Sequence, residues 1–251
     1  MALSVIIITK NEAHNIGDCL DSVAFADECI VVDSGSTDET RAIARARGAR
    51  VVQTDDWPGF GPQKNRALDL ATKTWVLSID ADERVTPALA QEIQAVIHDS
   101  ALDGYHIARL SNFCGRWIRH SGWWPDHVLR LIRRGTGRFT DSLVHESIKS
   151  EGQTGTLREH FLHYPYKDME SLIAKVNQYS TAGAEMMHTK GRTTGVLGII
   201  GHSVWTFVRI YVMRRGFLDG KEGFILAAVG AAGSFFRYSK LLFLNRRNSG
   251  S

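Results

Sequence analysis

Cysteine is scarce in this chain, three residues in 251, and Cys19, Cys29 and Cys114 are odd in number and follow no metal-binding or redox spacing. That excludes a disulfide framework and leads to an expectation of reduced thiols in a cytoplasmic compartment. Proline is equally sparse, at five residues, and no stretch is low-complexity or dominated by Pro and Ser, which excludes a disordered chain. No apolar run reaches the roughly 20 residues that a bilayer-spanning helix needs. The N-terminus passes from Met1 straight into Leu3-Ser-Val-Ile-Ile-Ile8 without the basic flank, longer apolar core and cleavage site of a signal peptide, so this part of the chain is expected to stay in the cytoplasm. No Gly-x-Gly-x-x-Gly turn follows this first apolar segment, which argues against a nicotinamide or flavin enzyme.

What is present is the composition of a globular protein, 43% hydrophobic and 23% charged. The length suits one large α/β domain with a smaller appendage. The formal charge of +3 conceals an asymmetry: from Lys190 onward ten basic residues, among them Arg209, Arg214, Arg215, Arg237 and Lys240, face only Asp219 and Glu222. Such a tail suits an anionic surface. No recognised nucleic-acid-binding module accompanies it, so nucleic acid is not expected as a partner.

Along the chain, β-branched runs at 4–9, 29–32, 50–53 and 75–79 read as strands. Helical patterns at 15–23, after Ser36 or Thr37 as a cap, and at 62–71 separate them. This alternation predicts an α/β fold with a mostly parallel sheet and right-handed crossovers. From Gly104 to Tyr166 the pattern shifts to shorter strands and aromatic-rich loops. Helical periodicity then returns through Met187, followed by apolar segments at 196–208 and 223–236. Each is too short to span a bilayer, and their basic flanks and aromatics suit helices lying in a membrane interface, or two helices packed on the catalytic domain. The expected organisation is a catalytic domain over 1–166, with a donor half at about 1–103 and an acceptor half at 104–166, and a helical, membrane-associating region over 167–251.

Ligands of open α/β sheets sit beyond the carboxyl ends of the strands, and three polar clusters fall there. Thr9, Asn11 and Glu12 close the first strand and can face a nucleotide base. Asp33, with Ser36 and Asp38 in the following loop, can accept hydrogen bonds from a base or ribose. Asp80 and Asp82 leave the fourth strand as two hard oxygen ligands for Mg²⁺ or Mn²⁺, which would neutralise a departing diphosphate. Singly, each has a plainer reading as a turn or first-turn residue.

Together the clusters resemble the family 2 glycosyltransferases of the nucleotide-diphospho-sugar-transferase (GT-A) fold. The matching stretches are Ser4-Val-Ile-Ile-Ile-Thr-Lys-Asn-Glu12, Ile30-Val-Val-Asp-Ser-Gly-Ser-Thr-Asp38 and Leu77-Ser-Ile-Asp-Ala-Asp-Glu83. The resemblance implies that Asp33 binds the nucleoside, that Asp82 holds the metal, and that Lys64 and Asn65 lie near the donor diphosphate. A narrower resemblance joins Gly122-Trp-Trp-Pro-Asp-His-Val-Leu-Arg-Leu131, Val144-His-Glu-Ser147 and Gly216-Phe-Leu-Asp-Gly-Lys-Glu-Gly-Phe224 to bacterial lipopolysaccharide core glucosyltransferases. It implies glucose transfer from UDP-glucose to an inner-core heptose, or to a similar lipid-linked glycan, at the cytoplasmic face of the inner membrane.

Inversion at the sugar needs a base for the acceptor hydroxyl. Glu146 is the expected base, with Asp141 and Asp126 as alternatives, and His145 is a further candidate for the metal. Arg130, Arg133 and Arg134 could clamp the diphosphate by bidentate contacts. Of Trp123 and Trp124, one is expected to stack on a sugar and one to anchor its loop. A sugar nucleotidyltransferase and a non-catalytic nucleotide-binding module that docks to membranes remain the alternative readings.

Overall fold

The computed structural model describes residues 2–99, 101–141, 147–166 and 168–248. The chain divides into two compact units, Met1–Leu110 with Asp126–His163, and Ser111–Pro125 with Tyr164–Ser251.

The first unit begins with the elements β1 (Leu3–Thr9), α1 (Ile16–Ser22), β2 (Glu28–Asp33), α2 (Thr40–Ala46), β3 (Arg50–Gln53), α3 (Phe60–Leu70) and β4 (Trp75–Ser78). There follow β5 (Glu83–Val85), α4 (Pro87–Asp99), β6 (Gly104–Phe113), whose last three residues and the two-residue β7 (Arg116–Trp117) fall in the second unit, then β8 (Asp126–Arg133), β9 (Gly137–Phe139), β10 (Ile148–Ser150) and β11 (Thr154–His163). The main sheet runs β3-β2-β1-β4-β8-β6-β11-β5, and β9 and β10 form a separate antiparallel pair. β1 is central, and its run of buried β-branched residues fits a strand covered on both faces.

The sheet is mixed, so the expectation of a mostly parallel sheet holds for one half. β3, β2, β1 and β4 are parallel, whereas β4–β8, β8–β6 and β11–β5 are antiparallel. The physical reason is that crossover helices α1 to α3 separate only the first four strands, and a parallel neighbour requires such a crossover. Residues such as Leu3, Ile7, Trp75, Leu77, Leu89, Ile93 and Phe161 form the larger core of this unit.

Two helix starts differ from expectation. α2 begins at Thr40, whose N–H donates to Asp38 Oδ1 at 3.0 Å, so neither Ser36 nor Thr37 caps it. α3 begins at Phe60, and at Gly61 an added Cβ would lie 1.9 Å from the carbonyl oxygen of Thr140. Glycine there allows helix and strand end to approach backbone to backbone.

The second unit holds α5 (Met169–Thr189), α6 (Val196–Val208) and α7 (Gly220–Asn248), with α6 continued by a π-turn, Arg209–Met213, and a 3₁₀ turn at Gly216–Asp219. Its own core gathers Phe113, Ile118, Leu172 and Leu226 around Trp123 and Tyr166. Ser111–Pro125 therefore group with this unit in the compact division of the chain. Phe113 and Trp123, 6.1 Å apart, supply apolar area to the helices, which a strand-by-strand reading does not register. The two apolar segments are also parts of longer helices. α7 runs for 29 residues. Val196–Met213 forms 18 continuous helical residues of mean hydropathy 1.5, long and apolar enough to cross a membrane by length and composition alone.

Candidate active site

The carboxyl ends of β1, β2 and β4 bring together the three polar clusters. Parallel pairing sets Thr9 beside Asp33, and Thr9 Oγ1 donates to Asp33 Oδ2 at 3.0 Å. The Ser36 N–H donates to Asp33 Oδ1 at 2.8 Å, the Ser36 hydroxyl donates to Asp33 Oδ2, and Arg41 Nε lies 3.7 Å from Oδ1. Asp33 has no exposed surface. Its carboxylate, expected to take ribose or base directly, is instead buried against Thr9, Ser36 and Arg41. Its work is to lock the loop after β2, and Thr9 and Ser36, also buried, are spent in the same task.

That loop in turn shapes the end of β1. Asn11 adopts φ +57°, a left-handed conformation that Asn tolerates. Its N–H donates to Ser36 Oγ at 2.8 Å, and its Oδ1 accepts from the Thr37 N–H at 2.8 Å. The Glu12 N–H donates to Thr40 Oγ1, and the Ala13 N–H to Asp38 Oδ2. Asp38 is exposed, and its carboxyl lies below its usual value: the slight burial would raise it, but the Thr40 hydroxyl and N–H hold it down.

The acidic turn after β4 is held rigidly. The Glu83 N–H donates to the Asp80 carbonyl at 3.0 Å, Arg84 Nη1 donates to the Ala81 carbonyl at 2.8 Å, and the Cys19 thiol donates to the Asp80 carbonyl at 3.6 Å. Burial pushes that thiol up, which keeps it a donor.

Asp80 meets Lys64 Nζ at 2.9 Å on one oxygen and Arg130 Nη2 on the other. Arg130 also reaches Glu83 Oε1 at 3.0 Å, and Glu83 Oε2 accepts the Asp80 N–H at 2.9 Å. Arg109 extends the chain of charges, lying 3.5 Å from Glu83 Oε1 and 3.0 Å, through Nε, from Asp126 Oδ2. Burial raises the Asp80 carboxyl, but the Arg130 guanidinium and the Lys64 ammonium overcome this and hold it well below the usual carboxylate range. Three cations thus face three carboxylates, and the buried charge is balanced from within. This corrects the expectation that Asp80 ligates a metal, since both of its oxygens carry cationic partners.

Asp82 points to different company. Its Oδ2 lies 3.6 Å from His163 Nε2, and both side chains are partly exposed, at 25% and 15%. His163 arrives by long-range pairing, since β11 runs antiparallel to β5 with His163 opposite Glu83. A carboxylate oxygen and an imidazole nitrogen near the roughly 3 Å separation of adjacent ligands around an ion with bonds of about 2.1 Å fit a Mg²⁺ or Mn²⁺ held partly by phosphate oxygens. No group of three or more His, Cys, Asp or Glu with metal-holding geometry occurs among the described residues. Among the described residues, this pair is what could contribute to such a site, with a phosphate-bearing ligand and water completing it.

Other expected residues are placed elsewhere. Asn65 donates to the Phe139 carbonyl and accepts from the Phe139 N–H, both at 2.9 Å, so it secures β9 to α3 and does not face a diphosphate. Arg133 pairs opposite Trp75 at the amino end of β4, stacks 4.8 Å from the Trp75 ring and lies 3.5 Å from Asp103. Because β8 runs antiparallel to β4, residues after Arg130 recede from the site, and Arg134 follows them. Asp141 is exposed, and His145 and Glu146 lie outside the described residues. Trp123 belongs to the core of the second unit, and the Arg119 guanidinium lies 6.0 Å from the Trp124 ring. Sequence reasoning missed Glu83, Arg109 and His163. Glu83 stood in the quoted acidic run without a role, whereas nothing local marks His163 except its place at the end of an alternating strand.

Residues 4–163 match Glycosyl transferase family 2, and the chain belongs to that family. It is 34% identical to the lipopolysaccharide core biosynthesis glycosyltransferase LpsC of Rhizobium meliloti, over 96% of this chain and 92% of that protein. It is also 32% identical to an uncharacterized glycosyltransferase of Rickettsia bellii, over 95% of this chain and 85% of the relative. Among solved structures, residues 1–349 of Staphylococcus aureus TarS, in complex with UDP, superpose with a TM-score of 0.52 at 19% identity, covering 99% of this chain and 92% of that one, a likeness of fold.

Proposed function

We propose that this glycosyltransferase moves glucose from UDP-glucose, with inversion, onto an inner-core heptose of lipopolysaccharide or a closely similar lipid-linked glycan. The near full-length similarity to LpsC carries this reading of the acceptor class. The pairing of Asp82 with His163 supports use of a divalent metal. Bound there, Mg²⁺ or Mn²⁺ would neutralise charge developing on the departing diphosphate.

The remaining work falls to the chain itself. Asn11, Glu12 and Asp38 line the entrance for the nucleoside, with Asp33, Ser36 and Thr9 fixing their backbone. Lys64 and Arg130 anchor Asp80, so that the turn carrying Asp82 does not have to reorganise during transfer. The acceptor hydroxyl loses its proton to a carboxylate on the opposite face of the sugar. Glu146 remains the proposed base, because Asp126 already carries Arg109 on its carboxylate. The enzyme works at the cytoplasmic face of the inner membrane, docked through its basic helical region.

The test is UDP release from a panel of nucleotide sugars, with Mg²⁺ or Mn²⁺ and with or without a deep-truncated lipopolysaccharide exposing heptose. Acceptor-dependent release from UDP-glucose that disappears with Asp82→Ala supports the reading. Release only from another donor discards the glucose assignment, and release independent of metal discards the role of Asp82 and His163.

A further inference from the structure

The second unit contains a cavity of about 450 Å³ between α5, α6 with its π-turn, and α7. That volume is in the range of sites for small ligands and headgroups. Arg209 and Arg237 line it, and no carboxylate does. Neither arginine has a carboxylate partner among the described residues, and both are exposed. Arg237 lies across α5 at Gly183, where an added Cβ would come within 2.8 Å of its Nε, so close packing on glycine holds this cation in place. His202 stacks flat on Tyr238, with ring centroids 4.0 Å apart and planes at 2°, forming one wall. Buried Ser234 adds a hydroxyl. The absence of a side chain at Gly230 preserves space, since a Cβ there would meet Ile210 Cδ1 at 2.6 Å.

Two unpaired guanidiniums in a cleft free of acids select an anion, and their planar forks match a phosphate. The helices that build the cleft also expose Ile200, Val204 and Trp205 on α6 and Phe235 and Phe236 on α7. The preferred anion is therefore one with an apolar continuation, because a free ion would leave those side chains in water. We propose that this cleft binds the phosphate headgroup of an anionic membrane lipid, with Arg209 and Arg237 on the phosphate and the exposed apolar side chains of α6 and α7 among the acyl chains. The proposal deepens the membrane-docking reading by naming one site and one ligand class, and it rests on that reading.

Partition of the full chain onto phosphatidylcholine vesicles with and without phosphatidylglycerol tests it. Three variants are compared at one ionic strength: Arg209→Gln with Arg237→Gln, Arg209→Lys with Arg237→Lys, and a charge-matched control, Arg192→Gln with Lys221→Gln. The cleft site predicts that wild type binds only the anionic vesicles. It also predicts that the glutamine pair in the cleft loses about ten-fold more affinity than the control, because two bidentate contacts go in addition to two charges. The lysine pair should lose affinity as well, although its charge is unchanged. Equal losses for cleft and control, or a lysine pair that binds like wild type, would show diffuse attraction and overturn the cleft while leaving membrane docking intact. No binding by wild type to any vesicle would end both readings. Calorimetric binding of inorganic phosphate to the vesicle-free chain, lost in the glutamine pair, would assign the cleft to a free anion and overturn the lipid assignment.

Discussion

The two units use arginine in opposite ways. In the first, Arg130 and Arg109 are drawn into a chain of carboxylates that leaves no charge unbalanced. In the second, Arg209 and Arg237 are exposed in a stretch that carries ten basic residues and two acidic ones after residue 189. Buried ion pairs cost desolvation and are retained where orientation matters, whereas exposed unpaired cations cost the fold little and wait for an external anion. The contrast predicts that charge changes in the first unit register chiefly in folding and catalysis, and that those in the second register in association.

The largest effect should follow from breaking the buried network. Arg130→Met leaves Asp80 and the fully buried Glu83 without their shared guanidinium, and a loss of about 3–5 kcal/mol is expected in denaturant unfolding. The acid limb adds a second readout. Asp80 is held well below its ordinary value in the folded chain, so its contribution is present above the unfolded value near 4 and is lost as pH falls toward the folded one. Wild type should lose stability as pH drops through that window, and Arg130→Met should show a shallower decline because part of the pairing is already gone.

Next in size is Asp82→Asn, which separates Asp82 from its neighbour two residues earlier. Donor turnover should fall about 10²- to 10³-fold, the scale of losing one transition-state charge stabiliser. Unfolding should change by less than about 1 kcal/mol, since the side chain is partly exposed and lies outside the balanced network. Asp80→Asn should reverse the pattern, with a marked stability loss. Equal stability losses in the two variants would dissolve the distinction drawn between them.

That distinction was only half legible in the sequence. The strands and the three polar clusters could be read because each is local: β-branched runs ending in acids announce themselves within ten residues. The partition of labour between Asp80 and Asp82 could not, because it depends on Lys64, Arg130 and His163, which reach the turn from α3, β8 and β11 by pairings far apart in sequence. Asn65 shows the same limit in reverse. The family resemblance implied a ligand contact for it, and the main chain of Phe139 bonds its amide. In the second unit, composition disclosed the basic, apolar character of the helices but not their lengths, since helix ends depend on packing and on a π-turn that hydropathy does not mark.

A smaller effect is expected at Asp219, the counterpart in the second unit of the buried carboxylates in the first. Its oxygens accept the N–H groups of Arg119 and His120 at 3.1 Å each and the Ser121 hydroxyl at 2.8 Å, tying the Trp-rich loop to the 3₁₀ turn. Asp219→Ala orphans those donors, and a loss of about 2–3 kcal/mol should appear in unfolding. Because the anchor is internal to this unit, the acid limb governed by Asp80 should keep its shape.

The smallest effect is the most diagnostic of how the second unit presents its surface. Leu197 is 87% exposed on α6, so it contributes almost nothing to the core. Leu197→Ser should alter unfolding by less than about 0.5 kcal/mol. If this face meets lipid, the same substitution removes buried apolar area only in the bound state, and partition onto anionic vesicles should weaken about three- to ten-fold. A large stability loss would mean that Leu197 is covered in the free protein, for instance by a second copy, and would be seen as concentration-dependent unfolding. Unchanged stability with unchanged partition would confine the membrane contact to the arginines and leave the apolar side of α6 for another surface.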